Sequence, residues 1–250
     1  MPFVSYESKG HIVLITLNRS DKLNAINSTM LEEMAAAWAR LDQDAEARVA
    51  VLTGAGRGFC VGLDMKEMVE GTLSPTVLQT MTPNRFSPRA QSKPVVGAIN
   101  GPAIGAGLDF VAMDCDILVA AESATFGMPE VMVGMASLGS PFAGANVPRA
   151  IAMEMFLTGE PITARRAYEA GFVNRVVPDD KVLSVALEIA ERIARNAPNA
   201  VRQSRKNLSN ACQASDASRI SETFAAHRPD MRESAARGVS AFSKKQQPTW

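Results

Sequence analysis

The stretch from Pro94 to Glu130, PVVGAINGPAIGAGLDFVAMDCDILVAAESATFGMPE, leaves the chain few ways to fold. Its first residues read as a buried strand, Pro94 to Ile99. A turn carrying Gly101, Gly105 and Gly107 follows, then a helix with Asp109 one turn in. A second apolar strand leads to a short segment closed by Pro129 and Glu130. Two carboxylates, Asp109 and Glu130, therefore stand in apolar surroundings beside backbone that little but glycine tolerates. Acids placed in this way mark a candidate site.

The rest of the chain supplies the frame for that stretch. With 250 residues, 46% of them hydrophobic, it can bury one large core, alone or with a small appendage. Residues 3 to 8 and 11 to 17 are β-rich runs split by Lys9-Gly10, a hairpin signal. Thr29 and Glu32 fit a capping box, and Leu31, Met34, Trp38 and Leu41 follow at helical spacing, so one face of that helix is buried. Val49 to Leu52 is a short apolar strand. The alternation of strand and helix to about residue 127 favours βα units with much parallel pairing. Residues 70 to 83 read as a loop, either over a pocket or plain surface. Helices are expected over Arg149 to Leu157, over Thr163 to Ala170 and from Asp179 onward, with a strand at Val173 to Val177. Ala186, Ile189, Ala190 and Ile193 mark one apolar face, and Pro198 separates two helices. We accordingly divide the chain into a core domain, 1–197, and a C-terminal helical region, 198–250.

Charge and cysteine content narrow the function classes. Lys+Arg and Asp+Glu each total 26, so the formal net charge is +0 and no global field recruits nucleic acid or an anionic membrane. Cys60, Cys115 and Cys212 are three, widely spaced and set among apolar residues, which fits a reduced cytoplasmic protein better than a disulfide scaffold. No signal core and no long uncharged apolar run is present, so neither export nor membrane spanning is indicated. Thr53-Gly54-Ala55-Gly56-Arg57-Gly58 approaches a dinucleotide fingerprint but has Phe59 where the last glycine is needed. His11 and His227 have no serine elbow near them. Asp114 and Asp116 fit amide caps at a strand start better than a metal site. The run Arg192, Arg195, Arg202, Arg205 and Lys206 reads as a solvated helix face before it reads as a phosphate site.

Two loops remain, and each ends a strand. Phe59-Cys60-Val61-Gly62-Leu63-Asp64 follows one strand, and Gly101 to Gly107 follows another. Ligands of α/β sheets gather at such strand ends. N–H groups at a helix start near Ala106, joined by Leu63 N–H, can stabilise an oxyanion, each donor contributing about 3 kcal/mol. Tight helix–strand packing by glycine explains the same spacing, and the residues alone leave both readings open.

Taken in order, these residues resemble the crotonase (enoyl-CoA hydratase/isomerase) superfamily. The resemblance rests on Leu17-Asn18-Arg19 with Leu23-Asn24-Ala25, the Phe59 to Asp64 loop, Lys93-Pro94, Asn100-Gly101, Gly105-Ala106-Gly107 and Cys115-Asp116. It continues through Phe126 to Glu130, Leu157-Thr158-Gly159, Gly171 to Asn174 and Ala241-Phe242. It implies an α/β fold, a ββα spiral core of two sheets with a C-terminal helical region, assembled as trimers or hexamers. It also implies an acyl-CoA thioester substrate, with backbone donors at Leu63 and Ala106 and catalytic carboxylates at Glu130 and Asp109. CoA or substrate contacts are implied at Lys22, Leu23, Ala25, Gly62, Asp64, Lys93, Gly105 and Phe242. Lys244 and Lys245 become phosphate contacts from a neighbouring subunit. No metal or redox cofactor is implied, coenzyme A being part of the substrate.

The sequence departs from the family pattern in three places. Asp109 stands where hydratases usually carry Glu and holds its carboxylate about 1.5 Å further back. Ala106 replaces a central glycine. The stretch after Gly134, Met135-Ala136-Ser137-Leu138-Gly139-Ser140-Pro141, lacks the usual Pro-Gly. The expectation is a hydratase-type lyase adding water to a 2-enoyl-CoA. The alternatives are a Δ3,Δ2-enoyl-CoA isomerase using Glu130 alone, and a non-catalytic acyl-CoA-binding homologue.

Overall fold

The structure, a computed structural model, describes residues 2–70, 92–108, 115–133, 147–213 and 246. The loop at 71–91, Asp109, Asp114, the 134–146 stretch, His227, Phe242, Lys244 and Lys245 lie outside the described residues, as do the side chains of 209–213.

The chain opens with β1 (Val4–Lys9) and β2 (Ile12–Leu17), an antiparallel hairpin in which Lys9 faces Ile12. The two-residue loop needs a positive φ at its first position, and Gly10 supplies φ +61. α1 (Ser28–Gln43) then buries Met30, Leu31, Met34, Ala37 and Leu41, the face that the periodicity predicts. Its cap differs from the expected Thr29/Glu32 box. Asn27 is the N-cap and accepts a hydrogen bond from Met30 N–H at 2.9 Å, while Ser28 N–H donates to the Glu67 carboxylate at 3.0 Å.

β3 (Val49–Gly54), α2 (Met65–Glu70), β4 (Val95–Ile99), β5 (Ala103–Ile104), β6 (Ile117–Ala121) and β7 (Thr125–Gly127) follow. After a 3₁₀ segment, Pro129–Val133, come α3 (Arg149–Thr158), β8 (Ile162–Thr163), α4 (Ala164–Glu169), β9 (Arg175–Val177), α5 (Val182–Ala194) and α6 (Pro198–Gln213). Pro198 opens the last of these, at a position where its missing N–H costs nothing.

Among the described residues, six strands form one sheet in the order β1-β2-β3-β4-β6-β9. All of its pairings from β2 to β9 are parallel. Every residue of β3 and β4 is buried, as strands covered on both faces require. α5 packs across β2, β3, β4 and β6 through Val182, Ala186, Ile189 and Ala190, and α1 packs on β1 and β2. A second sheet, β5-β7-β8, stands apart from the first. Its strands are two or three residues long and carry no alternation of their own, so periodicity alone did not announce them. Phe126 of β7 meets Phe172 edge-to-face at 5.3 Å and fixes this small sheet to the core.

The strand ends that carry the candidate loops are drawn together by buried amides. Asn24, fully buried at φ +57, donates to the carbonyls of Ala55 and Gly58. Asn100 accepts from Gly54 N–H and donates to Gly56 O. Asp116 caps Val95 N–H at 2.8 Å and pairs with Arg205, which confirms its reading as a structural carboxylate.

Candidate active site

The site is assembled by main-chain contacts between the 60–64 loop and the β5–helix turn. Cys60 N–H donates to Pro102 O, and Ile104 N–H donates to Cys60 O. The helix that begins at Ala106 lies so close to this loop that a Cβ on Gly107 would sit 2.0 Å from Cys60 O, so only glycine fits. Ala106 is the first helical residue, and its N–H has no carbonyl within the helix to bond.

Leu63 N–H is aimed by its own peptide unit. Gly62 O accepts from Ile26 N–H at 2.7 Å, and a trans peptide points its N–H opposite to its C=O. The Leu63 N–H is therefore directed away from Ile26. On that side a Cβ on Gly62 would lie 3.0 Å from Ile104 O and 3.5 Å from the Ala106 nitrogen. The structure thus brings Leu63 and Ala106, residues 43 apart in sequence, to one place.

Glu130 arrives at the same place from the small sheet. Ile104 pairs with Gly127, and Gly105 N–H extends that ladder to Gly127 O at 2.8 Å. The 3₁₀ turn that follows carries the Glu130 carboxylate back over Gly105, where a Cβ would meet Oε1 at 2.8 Å. Gly105 adopts φ +56, a backbone conformation that favours glycine, and a side chain there would displace the Glu130 carboxylate. Glu130 Oε2 is buried and has no hydrogen-bond partner among the described residues. Burial pushes the Glu130 carboxyl above its ordinary value, and its own backbone N–H opposes the rise only in part. Two convergent N–H donors and one acid with an unengaged oxygen can polarise a carbonyl and move a proton at the carbon beside it.

The flanking loop is held differently from expectation. Leu23 (φ +50) and Ala25 are half-buried, and Lys22 is exposed at the edge of the same turn. Asp64, expected to meet substrate, is corrected to a tether. Its Oδ2 lies 2.6 Å from Arg19 Nη1 and its Oδ1 accepts Lys66 N–H, so both oxygens are occupied. Burial would raise the Asp64 carboxyl, but the Arg19 guanidinium and the backbone N–H groups of Lys66 and Glu67 together hold it below the ordinary range. Sequence gave no signal for this pair, since Arg19 and Asp64 lie on separate loops. Cys60 is also enclosed, its thiol donating to Asn24 O at 3.1 Å, and burial pushes that thiol up to about 12.

Lys93, expected at a phosphate, is likewise corrected. It is 3% exposed and its ammonium donates to Leu41 O and Asp44 O, closing the carboxyl end of α1. Burial lowers its pKa, while Asp44 and Asp42 act the other way. A cation there complements the helix dipole. Lys93→Met is expected to lower unfolding stability by about 1–3 kcal/mol in a urea titration, because it leaves two carbonyls without their donor. KM for a CoA thioester should not change; a raised KM at unchanged stability would return Lys93 to the phosphate.

Among the described residues no group of three or more His, Cys, Asp or Glu side chains could hold a metal, and no helix is long and apolar enough to cross a membrane.

Several known proteins are similar to this chain in sequence and in fold. A crystal structure of an enoyl-CoA hydratase from Mycobacterium tuberculosis H37Rv superposes with a TM-score of 0.91 at 33% identity, covering 100% of this chain and 99% of that one. Mevalonyl-coenzyme A hydratase of Aspergillus fumigatus is 34% identical over 96% of this chain and 91% of its own length. The 2,3-dehydroadipyl-CoA hydratase of Escherichia coli K12 is 34% identical over 95% and 94% respectively. The model of the enoyl-CoA hydratase/isomerase family matches residues 7–250. The chain therefore belongs to the enoyl-CoA hydratase/isomerase family of enzymes and has the crotonase fold.

Proposed function

We propose that this enzyme adds water across the double bond of a 2-enoyl-CoA thioester. The observation that supports the reading is that Gly62, which precedes Leu63, packs against the Ala106 nitrogen while the Glu130 carboxylate, with its Oε2 buried and unpartnered among the described residues, lies over Gly105. The thioester oxygen accepts both N–H groups, and negative charge that develops there as water adds to the β-carbon is stabilised by them. Glu130, whose carboxyl burial pushes above its ordinary value, delivers a proton to the α-carbon and is reprotonated by the proton that the water gives up. Asp109, three residues after Ala106 in the sequence, orients the incoming water. Atoms balance without a further reagent: water supplies hydroxyl to the β-carbon and a proton to the α-carbon, so coenzyme A enters only as part of the substrate and no other cofactor is called on.

Lys22, Leu23 and Ala25 lie along the approach of the CoA chain, while Phe242 and Lys245 complete it in a trimer or a pair of trimers in the cytoplasm. The test is an acyl-CoA panel of straight, branched and dicarboxylic enoyl thioesters, read by mass spectrometry. Gain of one water by a 2-enoyl-CoA is expected. Rearrangement of a 3-enoyl-CoA with no water gained on any 2-enoyl-CoA would make the chain an isomerase. Binding of the panel without chemistry would make it a carrier.

A further inference from the structure

Leu63 is presented to the site on three residues, 62–64, that have little stiffness of their own. Gly62, at φ +93, contributes no side chain and a permissive backbone. The orientation of the Gly62–Leu63 peptide therefore depends on ties from outside; the Cys60 bonds to Pro102 and Ile104 hold the start of the loop, and three further ties run to the loop from Arg19 to Ile26. Two are main-chain bonds to Ile26, from Gly62 O and Asp64 N–H, at 2.7 and 2.8 Å. The third is a side-chain clamp. Arg19 Nη1 sits 2.6 Å from Asp64 Oδ2 and 2.9 Å from Ala25 O, so one nitrogen grips the residue after Leu63 and the residue before Ile26.

Arg19 is itself held ready for this. Its backbone N–H donates to Asn24 Oδ1 at 2.8 Å, and its guanidinium lies over the Phe3 ring at 5.7 Å. The paired side chains are 15% and 14% exposed, so solvent is a poor substitute for either partner. With the clamp closed, residues 25–26 and 63–64 keep their register, and the Ile26 bond keeps the Leu63 N–H pointing toward Ala106. With it open, the two bonds to Ile26 alone join the segments, without a side-chain brace beside them.

We propose that Arg19 and Asp64 are positioning residues whose ion pair sets the Leu63 N–H against the substrate carbonyl. The inference rests on Leu63 and Ala106 being the carbonyl donors. It concerns the transition state more than binding, because a misplaced donor of this kind loses strength where charge is greatest.

The test uses the full-length protein and four variants: R19M, D64N, the double variant R19M/D64N, and R19K. The double variant removes both charges together and so strands neither, which keeps the test valid if a single variant fails to fold. Two readouts are needed. One is kcat and KM on a short 2-enoyl-CoA. The other is the absorbance of a bound enoyl-CoA conjugated to an aromatic ring, which shifts to the red when its carbonyl is polarised. R19M, D64N and the double variant are expected to lose about 10- to 100-fold in kcat with little change in KM, and to lose much of the red shift. R19K, keeping a cation within reach of both oxygens, should recover most of each. Wild-type kcat and red shift in the double variant, with only its melting temperature lowered, would overturn the proposal and leave the pair a plain brace. A wild-type protein that binds the aromatic thioester with no red shift would overturn the donor assignment beneath it.

Discussion

Glu130→Gln is expected to reduce hydration of a 2-enoyl-CoA by about 10²- to 10⁴-fold in kcat, with KM little changed, and at the same time to raise the melting temperature at neutral pH. The two effects have one origin. Glutamine keeps the shape of the side chain over Gly105 but cannot exchange the α-carbon proton. It also removes the burial of a carboxylate oxygen that has no partner among the described residues. The pH dependence follows from the direction of the shift. Burial raises the Glu130 carboxyl above its ordinary 4.5, so the folded chain binds that proton more tightly than the unfolded chain. The stability this contributes is fully present below 4.5 and is lost as pH rises through the raised folded value. The stability gap between E130Q and wild type should therefore be wide near neutrality and should close in acid, as thermal melts across that range would reveal. Hydration at the wild-type rate by a folded E130Q protein would remove Glu130 from the chemistry and move attention to Asp109.

Gly62→Ala is expected to cost about 10²- to 10³-fold in kcat, the worth of one oxyanion donor. The methyl would lie 3.0 Å from Ile104 O and 3.5 Å from the Ala106 nitrogen, so the peptide that carries the proposed Leu63 donor must shift, and the residue would be forced to hold φ +93 with a side chain. Because the loss is one of transition-state stabilisation, kcat and kcat/KM should fall together while calorimetric binding of a saturated acyl-CoA changes little. Gly10→Ala is the control. It carries a comparable backbone strain at φ +61, but a Cβ there meets nothing within 4 Å, so it should lower stability alone. A Gly62→Ala enzyme within a few-fold of wild type would place the carbonyl elsewhere.

Elements with a strong period were readable in the sequence, and so were the loops that end them. The hairpin of β1 and β2, the buried face of α1 and the apolar face of α5 follow from spacing and turn residues, and Gly101, Gly105 and Gly107 announced backbone in close approach. What could not be read were choices decided by distant partners. Asn27 and Thr29 are both fit to cap α1, and Asn27 does so where the chain leaves the Ile26–Leu63 bridge. Lys93 beside a proline reads as a solvent-facing cation until α1, half a hundred residues away, supplies two carbonyls for it. Asp64 follows the same rule, its partner being an arginine on another loop. Short strands such as β5 and β8 are set by their neighbours and carry no periodic signal of their own.

The enclosed thiol of Cys60 has a further meaning for an enzyme that handles enoyl thioesters. Enoyl thioesters are electrophiles at the β-carbon and alkylate free thiolates, so a reactive cysteine three residues before Leu63 would be open to attack by such compounds. Here the sulfur is wholly buried, donates its proton to Asn24 O and is pushed up to about 12, which leaves almost no thiolate at neutral pH. The packing that holds the 60–64 loop therefore also keeps this sulfur out of reach of electrophiles.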